Sequence, residues 1–403
     1  MRTPARSAPA RSSRSASDFI PLPAVSTRLS IICIWFCFII LLVMGVVMVA
    51  STGLSAPPVN GVEQDYLGKQ CIFALLGLGV ALAASKVDYH RLRPWVWWIW
   101  GTCALLLLCC YLPVIGKTIN GESRWISIGI TFQPSELAKI CLMVALADWY
   151  TTYREMAGTF MKGFVLPGVI FGLPLMLILF EKDMGTAAAL AMSGFCLMYV
   201  AGTRTWVLVL AILVGALALY MMATGSANRM ERIDAWVDPQ AFSQGAGRQQ
   251  WISILAFARG GVTGVGLGDG IEKYGNLPFA HTDFIFAEIG EEWGIVGTVT
   301  VLLLFTMMTV AGVVLALQTH DTFGRLLATG LVCTIFWPAA LNMMVVTSIL
   351  PNSGLPLPFI SYGGTNLVFT IAAIGLLTSI QRYTPEEREN FWPKRRQGDR
   401  KLT

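Results

Sequence analysis

Asp283, Glu288, Glu291 and Glu292 fall within ten residues of one another, in a chain where only 13% of residues are charged. They sit where a long polar loop runs into a membrane-length apolar run, a place where carboxylates are expensive unless they pair, bind or react. A carboxylate so placed can serve as a general base, hold a cation or neutralise a basic partner. On a helix Glu288, Glu291 and Glu292 share one face at i, i+3 and i+4, a like-charge face that needs water or a cation beside it. The expected local structure is an amphipathic or re-entrant segment over 283–290, broken at Gly290 and Gly294 before the true span.

Other ionisable residues also lie inside or against apolar runs. Arg124 stands beside Trp125 in the segment 119–129. In Gln133-Pro-Ser-Glu-Leu-Ala-Lys139, Pro134 suits the first turn of a helix and Glu136 its dipole, while Lys139 lies one turn deeper on the same face. Asp183 ends the short connection 181–184. Arg124, Glu136, Lys139, Asp183 and Asp283 are expected to share one polar cavity. Glu122, Lys182, Glu231, Asp238 and Asp269 read instead as caps and snorkelling side chains. His281, beside this set, is a candidate substrate contact; Asp283 and Glu288 are the candidate ligands of a divalent cation such as magnesium or manganese.

The elements that must position these residues are membrane helices. A mean hydropathy of +0.62 excludes an ordinary soluble globule, and several apolar runs reach the roughly 20 residues that cross a bilayer. The expectation is an all-α polytopic membrane protein of about ten spans: 29–51, 71–85, 94–115, 133–150, 164–180, 185–201, 206–224, 294–317, 326–349 and 367–380. The membrane domain is 29–382, with a large extracytoplasmic loop at 225–293. Arg and Lys gather in the tails 1–28 and 383–403 and in the turns on the same side, which places both termini in the cytoplasm. The loop between the first two spans and the loops 116–132, 181–184, 225–293 and 350–365 then share the outer side. The nine cysteines all lie in apolar runs, without metal-like spacing, and read as packing residues. The glycine-rich stretch 258–270 lacks the spacing of a dinucleotide loop, so its glycines are expected to let backbone approach a membrane surface or substrate. Nothing points to a nucleic-acid partner.

Five motifs, taken together, are specific. They are Asn120-Gly-x-x-Arg-Trp-Ile-x-x-Gly129, Gln133-Pro-Ser-Glu-x-x-Lys139, Asp183-x-Gly-Thr186, Ala280-His-Thr-Asp-Phe-Ile-Phe-Ala-x-Ile-Gly-Glu-Glu292 and Gly354-Leu-Pro-Leu-Pro-Phe-Ile-Ser-Tyr-Gly-Gly-Thr365. In content and order they resemble the SEDS family (shape, elongation, division and sporulation), with details closer to its division branch than to its elongation branch. The resemblance covers about 29–382. It implies a peptidoglycan glycosyltransferase of the bacterial inner membrane, acting on lipid II at the division septum. It implies partners too: a class B penicillin-binding protein transpeptidase and other divisome proteins. It carries over Asp283 as the essential outer-loop aspartate, and Glu136 with Lys139 as the polar pair of the fourth span. Two positions depart from the family pattern: Phe279 stands where members have Glu, and Lys182 where they have Pro. Glu288 is the candidate substitute for that missing Glu.

Asp283 is then the expected general base, with Arg124 and Lys139, or a carboxylate-held divalent ion, facing the leaving diphosphate. The alternatives are a transporter that flips the lipid-linked precursor, or a non-catalytic divisome scaffold.

Overall fold

The computed structural model describes residues 27–53, 65–112, 116–119, 122–128, 130–224, 227–274, 277 and 280–384. Expectations for most of both tails, for the loop 54–64 and for Pro278 and Phe279 lie outside the described residues. In chain order come α1 (Thr27–Gly53), α2 (Tyr66–Lys86), α3 (Val96–Cys109), β1 (Gly116–Ile119), β2 (Glu122–Ile128), β3 (Ile130–Phe132) and α4 (Pro134–Thr152). Then follow α5 (Leu166–Phe180), α6 (Met184–Ala201), α7 (Thr205–Thr224), α8 (Ala227–Val237), α9 (Arg248–Gly260), α10 (Ile285–Gln318), α11 (Thr322–Val346) and α12 (Gly364–Tyr383).

The fold is a helical bundle, with one departure from the all-α expectation. The segment 116–132 forms a small antiparallel sheet in the order β1-β2-β3, with Lys117 opposite Trp125 and Ser127 opposite Thr131. Its β-branched and aromatic residues, among them Thr118, Trp125, Ile126 and Thr131, suit a pleated surface better than a helix. Among the described residues eight helices are long and apolar enough to cross a membrane. Two further helices fall where spans are expected. One is α4, which carries Glu136, Lys139 and Asp148. The other is α7, which is apolar over the shorter stretch Thr205–Leu217. All nine cysteines are free.

The bundle has two chemically distinct ends. At one, Arg93 Nε donates to Asp148 Oδ1 at 2.8 Å, and Tyr383 and Ser379 donate to the carbonyls of Lys86 and Val87. These are the turns expected inside. At the other end meet the sheet, the turn 181–183, the 227–284 region, the segment 348–363 and the start of α2. Between the ends the core is apolar, built from side chains such as Phe38, Leu142, Leu331 and Ile371. Residues such as Leu213 and Leu303 are left on the outside, at 61% exposure each, as lipid-facing positions require.

α10 differs most from the expected span. It starts at Ile285 and runs through Gly290 without a break. Gly290 is there because it packs against the Phe257 ring, not to end a helix. The break comes at Gly294 alone, with φ 64° and ψ −157°. The loop fills that break: Ile295 N donates to Gly261 O at 3.0 Å, and Val265 N to Glu291 O at 3.0 Å. A Cβ on Gly294 would lie 2.5 Å from both Gly264 N and Val262 O. Three glycines of 258–270, Gly260, Gly264 and Gly270, lie directly against α10. Gly264, in the left-handed region at φ 81°, lies directly against the Glu292 carbonyl. Gly294→Ala is expected to lower stability by at least the ~1–3 kcal/mol of such backbone strain, read as earlier thermal unfolding in detergent than for Gly215→Ala, whose site is open.

Candidate active site

Asp283 sits one residue before Phe284, the N-cap of α10, and neutral side chains fix its backbone. Asn342, 1% exposed on α11, donates from Nδ2 to Asp283 O at 2.7 Å and to Leu355 O at 2.6 Å. Ser361 donates to the preceding carbonyl, Thr282 O, and accepts from Leu357 N. Thr282 Oγ1 donates to Asp283 Oδ1 at 2.9 Å. The carboxylate is half-buried and lines a cavity of about 570 Å³.

The expected set is brought together, but not all of it reaches the cavity. Arg124 of β2 and Glu136 of α4 line it with Asp283. Asp183 does not; it is 2% exposed and works as a bracket. Its Oδ1 accepts from Thr186 N and caps α6, while its Oδ2 accepts from Gln133 Nε2 and holds Arg124 Nη1 at 3.2 Å. Lys139 does not line the cavity either. Its ammonium pairs with Glu136 Oε2 at 2.7 Å at 7% exposure, because a buried lysine one turn from a buried glutamate has a partner at hand. That corrects its expected place facing a leaving group.

His281 is a second correction. Its ring packs against Tyr66, with centroids 4.3 Å apart, and edge-on to Tyr362. Burial pushes its pKa down to about 4, so the ring is neutral at neutral pH and is no counter-charge for an anion. It lies outside the cavity lining and acts as a packing residue that ties the start of α2 to the loop.

The acid face of α10 is also resolved. Glu288, Glu291 and Glu292 are at most 1% exposed. Lys273 Nζ reaches Glu292 Oε1 at 2.6 Å and also donates to Gly268 O and Ser51 Oγ. Glu291 accepts from Ile271 N at 3.0 Å and Glu272 N at 3.2 Å, with Arg259 Nη1 at 3.4 Å. Arg259 in turn pairs with Glu272. Neither oxygen of Glu288 has a hydrogen-bond partner among the described residues. Glu288 does not line the Asp283 cavity, which does not place it as a co-ligand of Asp283; its expected substitution for a Glu at 279 lies outside the described residues. Among the described residues no group of three or more His, Cys, Asp or Glu is arranged to hold a metal ion. No step below passes through a divalent cation.

Sequence reasoning missed four basic residues. Arg259 and Lys273 are the counter-charges of the acid face; a buried like-charge face with the chain's next bases in the preceding glycine-rich loop was the available signal. Arg232 of α8 and Arg248 of α9 line the cavity, and nothing in their spacing announced it.

Comparison with known proteins shows the family. Residues 31–386 match the family model of FtsW, RodA and SpoVE, described as cell cycle proteins. The chain belongs to this family. A Geobacter metallireducens relative named "probable peptidoglycan glycosyltransferase FtsW" is 38% identical over 316 residues, covering 78% of this chain and 84% of its own length. A Coxiella burnetii relative of the same name is 34% identical over 350 residues, covering 85% and 94%. Among solved structures, a chain from a peptidoglycan synthase complex, reported for its coordination of polymerization and crosslinking, aligns with TM-score 0.71 at 28% identity, over 87% of this chain and 96% of that one. The rod shape determining protein RodA of Thermus thermophilus aligns with TM-score 0.65 at 26% identity, over 88% and 97%. For this FtsW/RodA/SpoVE family member the five motifs of the sequence converge on one end of the bundle.

Two measurements test the site's electrostatics. Lys273→Met strands Glu292, and breaking a buried pair costs about 3–5 kcal/mol; Lys273→Met with Glu292→Gln is expected to recover most of that loss in chemical unfolding in micelles. Glu181, 1% exposed beside Asp183, has its pKa raised to about 8 by burial and then by the Asp183 charge, against an ordinary 4.5. Between those values the folded chain keeps a proton that the unfolded chain has lost, so stability falls as pH rises through that window. The unfolding temperature should drop more between about pH 5 and about pH 8.5 in the wild type than in Glu181→Gln; equal drops would contradict the assignment.

Proposed function

We propose that the chain is a peptidoglycan glycosyltransferase of the bacterial inner membrane that polymerises lipid II at the outer face, with Asp283 as its general base. The observation that carries this reading is the placement of Asp283. It is fixed through its backbone by Asn342 and Ser361, yet its carboxylate opens on a polar cavity shared with Arg124. Family membership supports the activity, since the curated relatives bear the name of a peptidoglycan glycosyltransferase.

The acceptor hydroxyl enters the cavity and gives its proton to the Asp283 carboxylate. Its oxygen forms a new bond to the anomeric carbon of the lipid-linked donor. The bond from that carbon to the diphosphate oxygen breaks, and the electron pair leaves with the diphosphate. A base within hydrogen-bond reach contributes about 10²–10⁴-fold to such a step. Arg124, held in place by Asp183, offers cationic help to the developing charge. Thr282 fixes the carboxylate through its Oδ1.

In this reading the cavity end is extracytoplasmic, and both termini are cytoplasmic because Arg and Lys cluster in the tails and in the turns of the opposite end. A single-span class B penicillin-binding protein is the transpeptidase partner that would crosslink the product strands. The division septum, with other divisome proteins, is the site of action, in keeping with relatives named FtsW. Flipping of the precursor and a silent scaffold gain no support from a particular observation.

Purified Asp283→Asn protein, incubated with lipid II in detergent, should form polymer at least about 10²-fold more slowly than the wild type, with unchanged thermal unfolding. Full activity in that variant would remove Asp283 from the reaction.

A further inference from the structure

The glycine-rich stretch after α9 has two unlike sides. From Gly264 to Ile271 every second residue is glycine, and the residues alternating with them, Val265, Leu267, Asp269 and Ile271, are exposed. The glycines turn inward: a Cβ on Gly264 would meet the Glu292 carbonyl, and one on Gly270 the carboxylates of Glu291 and Glu292. Glu272 and Lys273 follow on that inner side, buried in their pairs with Arg259 and Glu292. The outer side carries Val262, Leu267, Ile271 and Tyr274, at 65%, 56%, 53% and 63% exposure, and none of the four lines the Asp283 cavity. A row of large apolar side chains on one side of a loop marks an interaction surface.

Backbone bonds fix the height of this surface. Ile295 N donates to Gly261 O, and Val296 N to Val262 O at 3.2 Å. Ile295 and Val296 are the first exposed residues of α10. The lipid-facing row of that spanning helix continues from them through Val299, Leu302 and Leu303. The outer side of the loop therefore extends the lipid-facing row of α10 at its extracytoplasmic edge.

We propose that residues 262–274 form an interfacial anchor whose apolar side chains enter the outer leaflet, at the junction of headgroups and acyl chains. Continuity with α10 names the occupant, because the loop prolongs a surface that already faces lipid. Hydrogen bonding agrees with it. Irregular backbone is tolerated beside hydrocarbon only where its polar groups are satisfied within the protein. The amides of Gly264, Val265, Gly266, Asp269, Ile271 and Glu272 all have acceptors in the protein, most of them on α10. Tyr274 suits the headgroup level, where aromatic rings with a polar tip gather. Asp269, the one charged residue exposed in 262–274, keeps the anchor shallow, since its carboxylate must stay among the headgroups. The segment that meets the lipid also carries Glu272 and Lys273, so the anchor holds the clamp on the acid face of α10 in place.

The test uses the full wild-type chain in lipid nanodiscs, with phosphatidylcholine that bears a diazirine near the top of one acyl chain. Cleavage after Arg259 and Lys273 releases 260–273 as one peptide, and 274–325, which holds α10, serves as the lipid-facing reference. After illumination, peptide 260–273 should carry lipid adducts, centred on Val262, Val265, Leu267 and Ile271. Hydroxyl-radical footprinting of the same nanodiscs should find Leu267 and Ile271 protected relative to the unfolded chain. Absence of adducts on 260–273 while 274–325 is labelled overturns the proposal. Oxidation of Leu267 and Ile271 in nanodiscs at the rate of the unfolded chain overturns it as well. Protection without lipid adducts, seen only when a second membrane protein co-purifies, assigns the surface to that protein and also overturns it.

Discussion

Three carboxylates buried on one face of a membrane helix have to be met by cations or protons, and the site follows from how this chain meets them. Removing one ionised side chain from water costs several kcal/mol, and α10 presents Glu288, Glu291 and Glu292 within two turns. Lys273, from the preceding loop, and Arg259, from the last turn of α9, come to meet two of them. For that to happen, the loop backbone must lie directly on the helix, which explains the glycines there and the single broken residue, Gly294. Once the loop is clamped in this way, its last residues, Thr282 and Asp283, have little freedom over where they enter α10.

A division of labour follows. Charged pairs hold the architecture: Lys273 with Glu292, Lys139 with Glu136, Asp183 with Arg124. Neutral groups hold the reacting residue: Asn342 and Ser361 bind its backbone region.

Much of this was legible in the sequence, and the failures have physical reasons. Helix positions followed from apolar runs, and the meeting of Arg124, Glu136, Asp183 and Asp283 followed from the cost of charge beside lipid. The break at Gly294 was legible as well. Gly290 misled because a small residue can mark a close approach as well as a helix end, and here Phe257 occupies the missing Cβ. Lys139 and His281 misled because residue type shows what a side chain can do, whereas local partners decide it: Glu136 for one, Tyr66 and Tyr362 for the other. Arg232 and Arg248 were invisible because their place depends on Trp236, Gln250 and Ser253 reaching the end of α11, about a hundred residues away in the chain.

The central claim is that a sugar hydroxyl meets Asp283 in this cavity. A structure of the full chain bound to lipid II, solved with the Asp283→Asn variant to prevent turnover, tests it most directly. The account predicts a sugar hydroxyl within about 3 Å of the residue 283 side chain, the reach a general base requires, and a diphosphate on the far side of the anomeric carbon. A saccharide bound with no hydroxyl near residue 283, or one lodged elsewhere in the bundle, would contradict it.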